Sequence, residues 1–334
     1  MKRCKQMVYS LFPMIGVIIL ILDAKTSFRG AADGIALCMK TVIPALFPFF
    51  ILSAMLTSSL IGRKIPIINK LGKFCGIPSG AESLLLIGLI GGYPVGARVV
   101  TQAYQNGQIS KHDGRRMLGF CSNAGPAFLF GMLSPLFPKQ WMLWGLWSIH
   151  IASALITGHL LPGKAENKVS LTVSKPLGVQ KALDQSMRAL AGVCGWVVVF
   201  RIILSFLDRW LFWLIPNELA TILSGVLELT NGCIDLAKIT DISLRGYIAT
   251  GFLGWGGICV VMQTVSVTGT LGLGYYIPGK IMQTALSVLI CSLFLFFQKT
   301  NALILVIPVI SAIIISTILL VMKKRSRNYT AAVV

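Results

Sequence analysis

The feature that most constrains this chain is the recurrence of apolar runs about 20 residues long along its 334 residues. A helical run of that length spans the hydrocarbon core of a bilayer. Hydrophobic residues make up 55% of the chain and charged residues only 12%, against roughly 25% charged residues in a typical soluble domain. The chain has too few charged side chains to cover a water-facing surface, so we expect an all-α polytopic membrane protein.

We expect about eight transmembrane helices and two re-entrant hairpins. The first crossing is the apolar run Met7–Leu22, which we interpret as an uncleaved helix because Asp23-Ala24-Lys25 is a poor signal-peptide cleavage site. The hairpins are expected at 78–107 and 211–239, where apolar sequence is interrupted by glycine and contains a glutamate. The remaining crossings are expected at 41–62, 117–137, 141–161, 190–207, 247–268, 281–297 and 302–322.

The basic residues predict the orientation of these crossings. With the N-terminus inside, the expected cytoplasmic segments hold 21 Lys and Arg residues and the outer segments hold 8, while Arg201 lies within a span. This bias follows the positive-inside rule, so we predict a multi-pass cell-membrane protein with both termini in the cytoplasm. The net charge of +19 is then a match to anionic lipid headgroups, and we expect no nucleic-acid partner.

The order of the predicted crossings suggests two repeats of inverted topology. The two halves have the same order of predicted spans and interrupted segments, but their entry helices run in opposite directions through the membrane. Within the linker between them, Val179–Arg188 is either an amphipathic helix on the membrane surface or part of a flexible connector. The predicted organisation is an N-terminal membrane helix and loop at 1–40, a first repeat at 41–162, a cytoplasmic linker at 163–188, a second repeat at 189–300, and a last membrane helix with a basic tail at 301–334.

Two carboxylates, Glu82 and Glu228, fall inside the interrupted apolar segments, one in each half. An ionisable group at membrane depth costs about 2.5–3.5 kcal/mol, so it needs a partner or a wet cavity. Each could bind a coupling cation, carry a proton or bind substrate; the alternative is a carboxylate that caps a hairpin helix near the interface. We predict that the two serve one site.

Four glycine-containing strings predict breaks in helices, where exposed backbone groups can hold a ligand. Arg98, just after the first string, could hold an anionic substrate or extend to the headgroups. Gln263 lies two turns beyond the last. Each string could instead be a tight turn or a packing contact between helices. The strings are Gly91-Gly92-Tyr93-Pro94-Val95-Gly96, Ser122-Asn123-Ala124-Gly125-Pro126, Thr230-Asn231-Gly232 and Trp255-Gly256-Gly257.

Motifs of enzymes and of metal sites are missing from the sequence. It contains no P-loop, no HExxH and no GxSxG string, so we expect no enzyme activity. Its eight cysteines are scattered without a CxxC pair, and its three histidines lack metal-ligand spacing. We therefore interpret the cysteines as small apolar packing residues and expect neither a metal nor a cofactor.

Three of the four glycine-containing strings carry a resemblance to a known family. Glu82 with Gly91–Arg98, followed by Phe120–Pro126, resembles the sporulation integral membrane protein YlbJ family, and Glu228–Gly232 is similar to the second half of that family. The family contains the nucleoside-recognition or gate domain, which is also found in spore maturation proteins, in the ferrous-iron permease gate and in concentrative nucleoside carriers. The resemblance covers about residues 40–300, so the two repeats look like gate domains.

The resemblance implies a transport function. It implies an endospore-forming Gram-positive bacterium and a permease for a small polar or anionic metabolite, with dipicolinic acid as cargo across a forespore membrane. A nucleoside permease and a non-transporting scaffold for spore-envelope assembly remain alternatives. The partners are membrane lipids and a small-molecule substrate, and a second copy of the chain is left open. The predicted substrate-binding residues are Glu82, Gly91, Gly92, Tyr93, Pro94, Gly96, Arg98, Ser122, Asn123, Gly125, Pro126, Glu228, Thr230, Asn231, Gly232, Trp255 and Gln263.

Overall fold

The computed structural model describes residues 2–60, 63, 65–163, 176–296, 311, 313–319 and 321–322, which form helices and turns without β-strands. The expectation of an all-α protein is thereby confirmed for these residues. The α-helices in chain order are α1 (Lys2–Leu22), α2 (Ala24–Leu37), α3 (Ile43–Leu60), α4 (Pro66–Phe74), α5 (Ser83–Ile90), α6 (Val95–Gln105), α7 (Lys111–Met117), α8 (Pro126–Leu133), α9 (Gln140–Leu160), α10 (Val179–Trp210), α11 (Asn217–Leu227), α12 (Leu229–Asp235), α13 (Ile242–Trp255), α14 (Gly257–Thr268) and α15 (Tyr276–Phe296).

Four helical segments in the described ranges are long and apolar enough to cross a membrane. They support an integral membrane protein. The number of crossings, the side on which the termini lie and the inverted repeat stay predictions. Linker residues 164–175, most of the predicted crossing 302–322 and the basic tail lie outside the described residues. The four segments are Ala24–Leu60, Val179–Trp210, Ile242–Leu271 and Tyr276–Phe294.

The loop predicted at the end of the segment 1–40 is wrong, because residues 24–37 form helix α2. Asp23 caps the first turn by accepting a hydrogen bond from the Thr26 N–H at 3.3 Å. Gly30 and Gly34, four positions apart, bring the backbone of α2 against α10; a Cβ atom on Gly30 would lie 2.9 Å from the Ile202 Cα. Small residues at this spacing allow membrane helices to pack closely, so this segment is a packed helix.

The second part of the predicted linker is helical. Helix α10 begins at Val179 and runs for 32 residues to Trp210, so the segment 179–188 is the first part of a long helix. The segment 179–188 is therefore helical, as the amphipathic-helix alternative predicts. A separate helix lying on the surface is not observed, since no break separates these residues from the apolar part of α10.

The predicted breaks are present in the structure. Residues 91–94 separate α5 from α6, and residues 118–125 separate α7 from α8. Glu228 is the junction between α11 and α12, and Gly256 joins α13 to α14 with a φ of 82°. The expected crossing at 247–268 is thus built from two helices, whereas the one expected at 117–137 consists of the irregular segment 118–125 followed by α8. Chain breaks of this kind are tolerated at membrane depth where other protein segments surround them.

A buried guanidinium holds the second break, residues 118–125, in place. Arg116, at the end of α7, donates to the carbonyls of Cys75 at 2.7 Å, Gly76 at 3.0 Å, Gly158 at 2.6 Å and Leu161 at 3.3 Å. These carbonyls lie at the C-terminal ends of α4 and α9. A cation at helix C-termini is favoured by the helix dipoles and by the carbonyls that have no partner within the helix. Arg116 thereby fixes α7, and the break that follows it, against two neighbouring helices.

Candidate functional site

Three of the four predicted breaks meet around one cavity. Including its mouth and the solvent space there, the cavity encloses about 640 Å³. Its walls come from the π-helical segment Cys38–Val42 before α3 and from α3 itself, from the first two breaks, from α8, α10 and α14, and from the α11–α12 junction. The lining residues are Thr41, Val42, Ala45, Leu46, Phe49, Gly91, Gly92, Tyr93, Ala124, Gly125, Ala127, Phe128, Met132, Val193, Val197, Glu228, Leu229, Thr230, Val260 and Gln263.

Glu228 supplies the carboxylate of this cavity. Its backbone is extended between α11 and α12, which places the side chain at the N-terminus of α12. One carboxylate oxygen accepts from the Thr230 N–H at 3.0 Å, and the other accepts from the N–H and from the Nδ2 of Asn231, each at 2.7 Å. The carboxylate therefore caps a helix, as one of the two alternatives from the sequence predicts, and it also borders the cavity.

Glu82 lies in a different environment. It is also buried, but its carboxylate accepts from the Gly80 N–H at 2.7 Å and packs against Gly72 of α4. It is absent from the cavity lining, where Glu228 is found. The structure therefore does not bring the two carboxylates to one cavity, and Glu82 has the arrangement of a residue that stabilises a turn.

The first two breaks contact each other beside the cavity. Gly92 faces Gly125 so closely that a Cβ atom on Gly125 would lie 3.0 Å from the Gly92 Cα. Gly96 packs against the Cys121 carbonyl, where no Cβ atom fits. Of the residues predicted in these strings, Gly91, Gly92, Tyr93 and Gly125 line the cavity, while Pro94, Gly96, Arg98, Ser122, Asn123 and Pro126 lie outside its lining.

The second-half residues divide in the same way. Thr230 and Gln263 line the cavity, and Asn231 holds Glu228 without lining it. Gly232 packs against Gly225, and the indole N–H of Trp255 donates to the Val226 carbonyl at 3.0 Å. These last contacts are packing contacts between helices, so the lining of the cavity is smaller than the predicted set.

The sequence reasoning missed a buried lysine. Lys280, counted above among the cytoplasmic basic residues, is fully buried in α15. Its ammonium donates to Gln283 Oε1 at 2.7 Å, to the Tyr93 hydroxyl at 3.2 Å and to Asn123 Oδ1 at 3.4 Å. Two of these partners belong to the first two breaks, so Lys280 joins both breaks to α15. The sequence feature that could have indicated this burial is the Lys-x-x-Gln pair inside the apolar run 276–296.

The described part of the chain contains no group of three His, Cys, Asp or Glu residues placed to hold a metal ion. Its cysteines are all free, and most are buried. The chemistry of this site therefore comes from a carboxylate, amides, hydroxyls and one buried ammonium. Such a set can hydrogen-bond and orient a polar solute.

Comparison with known proteins gives one informative similarity. No family model and no solved structure matches the chain. The chain is 25% identical over 297 residues to the sporulation integral membrane protein YlbJ of Bacillus subtilis (strain 168), a match that covers 74% of this chain and 72% of that protein. This similarity agrees with the resemblance that the motifs carry: the chain is similar to the sporulation integral membrane protein YlbJ.

Proposed function

We propose that this chain is a membrane permease that moves a small polar or anionic metabolite, with dipicolinic acid during sporulation as its first candidate cargo. The observation that carries this proposal is the cavity at the meeting point of several helix breaks, bordered by Glu228 and Gln263. Broken helices that surround a polar site within a membrane protein are typical of secondary transporters.

The composition of the cavity supports a small solute. Most lining side chains are apolar, and a few polar groups, among them Tyr93, Glu228 and Gln263, converge on the same space. This is the usual pattern of a small-molecule site, in which apolar walls exclude water and a few polar groups orient the ligand. Burial of polar groups costs free energy unless they are hydrogen-bonded, and their position around a cavity favours a ligand-binding role over a scaffold role.

Dipicolinate is a planar dianion, so its passage requires positive charge near the route. Arg98 does not line the cavity. Lys280 is close to it, because Tyr93 lines the cavity and also accepts a hydrogen bond from the Lys280 ammonium. The similarity to a sporulation membrane protein gives independent support for a cargo used in sporulation.

A nucleoside is the second candidate cargo. No Lys or Arg is among the lining residues, and Thr230, Glu228 and Gln263 offer hydrogen-bonding groups for ribose hydroxyls and base edges. A neutral solute with several hydroxyls would match these groups without a nearby cation. The two cargoes differ in charge, which makes them easy to separate by experiment.

The test is uptake into proteoliposomes that contain the purified protein, with labelled dipicolinate and labelled uridine measured side by side. Saturable uptake of dipicolinate above that of protein-free vesicles is the expected result. Uptake of uridine alone would replace dipicolinate with a nucleoside as the cargo. If neither solute enters faster than in protein-free vesicles, the permease proposal is wrong and the scaffold alternative gains support.

A further inference from the structure

Lys280 has only neutral partners. Gln283, Tyr93 and Asn123 accept its three hydrogen bonds, and the rings of Tyr93 and Tyr276 lie 5.1 and 5.9 Å from Nζ. In the part of the chain that the structure describes, the ion pairs between side chains do not include Lys280. A buried ammonium without an anion is costly, and a methionine of similar length would fill the same space. Packing alone therefore gives no reason for a lysine here.

Among the buried polar groups without a hydrogen-bond partner in the described residues, two belong to residues that adjoin the partners of Lys280. They are the hydroxyl of Ser122, which precedes Asn123, and the ring of His150, both of whose nitrogens are unpaired. The amide of Gln283 donates to the His150 carbonyl at 3.5 Å, which places His150 at the same cluster. A hydroxyl and an imidazole N–H are donors, and with an ammonium they form a suitable set for the oxygens of a carboxylate.

The cluster is separated from the cavity by one side chain. Tyr93 lines the cavity on one side and accepts from Lys280 on the other, and Ala124 and Gly125, directly after Asn123, line the cavity. The hydrogen bond from Lys280 to Tyr93 is long, at 3.2 Å, in comparison with 2.7 Å to Gln283. A rotation of the Tyr93 ring, which would also break the hydrogen bond from its hydroxyl to the Leu253 carbonyl at 3.3 Å, would expose the ammonium to the cavity.

We infer that Lys280, the Ser122 hydroxyl and the His150 ring form a carboxylate-recognition site behind Tyr93, which makes the permease select anionic over neutral solutes. This inference rests on the proposed function and adds a charge preference to it. An entering carboxylate takes the place of the Tyr93 hydroxyl on Lys280, while Glu228 keeps its own hydrogen-bond donors on the other side of the cavity.

The experiment measures thermal stabilisation of the purified protein in detergent and, in parallel, uptake into proteoliposomes. The solutes are dipicolinate, the monoanion picolinate and the neutral diamide of dipicolinic acid, which has nearly the same shape. For the wild type, we expect the concentration that gives half-maximal stabilisation to be at least about tenfold lower for the dianion than for the diamide. Equal concentrations for the charged and the neutral solute would overturn the inference without any variant.

The variants are Lys280→Met, which removes the charge at similar length, and Ser122→Ala, with Lys181→Met on the exposed part of α10 as the control. We expect Lys280→Met to lose the preference for the dianion and Ser122→Ala to weaken dipicolinate binding about threefold. Because the Ser122 hydroxyl has no partner in the described residues, a merely structural role predicts no effect of Ser122→Ala. An unchanged preference for the dianion in Lys280→Met would overturn the inference. If Lys280→Met does not accumulate in the membrane, unchanged dipicolinate binding by Ser122→Ala would overturn the inference instead.

The two readouts separate this inference from the proposed function. Charge-selective stabilisation of the wild type without uptake of any solute would support the recognition site and count against the permease. Uptake without charge preference would support the permease and overturn the recognition site. Failure of the dianion to stabilise the wild type at any concentration would also overturn the site.

Discussion

Replacing Glu228 with glutamine tests whether the cavity carboxylate serves transport. The carboxylate accepts three hydrogen bonds from Thr230 and Asn231. The single glutamine oxygen can keep both hydrogen bonds from Asn231. The new amide NH₂ group then faces the Thr230 N–H, so one hydrogen bond is lost and the Thr230 N–H is left without an acceptor. This costs about 1–3 kcal/mol, a minor part of the about 5–15 kcal/mol that typically holds a protein folded.

The variant should therefore accumulate in the membrane but transport poorly. We expect its initial rate of labelled solute uptake, per amount of reconstituted protein, to fall at least about tenfold, since a charged group that orients the solute is worth about 1.5–3 kcal/mol. Glu218→Gln, exposed at the start of α11, is the matched control on the same hairpin. Glu82→Gln is the second control, because Glu82 is buried but does not line the cavity.

The comparison among these variants can refute the reasoning in two ways. Uptake by Glu228→Gln within twofold of the wild type would show that the cavity carboxylate is only a helix cap. An equal loss in Glu82→Gln would favour the sequence-based prediction that the two carboxylates serve one site. In both cases the amount of protein in the membrane must match the wild type.

Two further predictions concern the breaks and their support. Gly96→Val should lower the melting temperature and the uptake rate together, because its side chain would meet the Cys121 carbonyl; Gly195→Val, with open space around its Cβ position, should change neither in the same melting and uptake assays. Arg116→Met should lower the free energy of unfolding by about 3 kcal/mol or more, since four buried carbonyls lose a charged donor. Denaturant titration of the purified protein measures this loss, with the exposed neighbour Arg115→Met as control; equal stability of the two variants would contradict the role assigned to Arg116.

The helix breaks could be predicted from sequence because their cause is local. Gly92 and Gly256 have φ angles of 74° and 82°, which glycine adopts without strain, and Pro94 and Pro126 lie at the starts of α6 and α8. Glycine at a positive φ and proline at a helix start act on the backbone locally. The clusters of these residues therefore indicate the breaks, although a single proline such as Pro13 or Pro48 lies inside a helix.

The direction in which a side chain faces could not be predicted in this way. Glu82 and Glu228 occur in similar sequence patterns, yet Glu82 packs against α4 and Glu228 lines the cavity. Lys280 is buried by contacts with Tyr93 and Asn123, which are 187 and 157 positions away in the chain. The positive-inside rule treats such a residue as a loop charge because the rule contains no information about contacts between distant helices.

The most direct test of the central claim is whether filling the cavity blocks transport. Ala127 lines the cavity on α8, whereas Ala36 on α2 is exposed. We predict that Ala127→Phe reduces the initial rate of labelled dipicolinate uptake into proteoliposomes at least about tenfold, because the added ring occupies the proposed solute route, while Ala36→Phe keeps the wild-type rate. Equal rates for the two variants, at equal protein content, would contradict the claim that solute passes through this cavity.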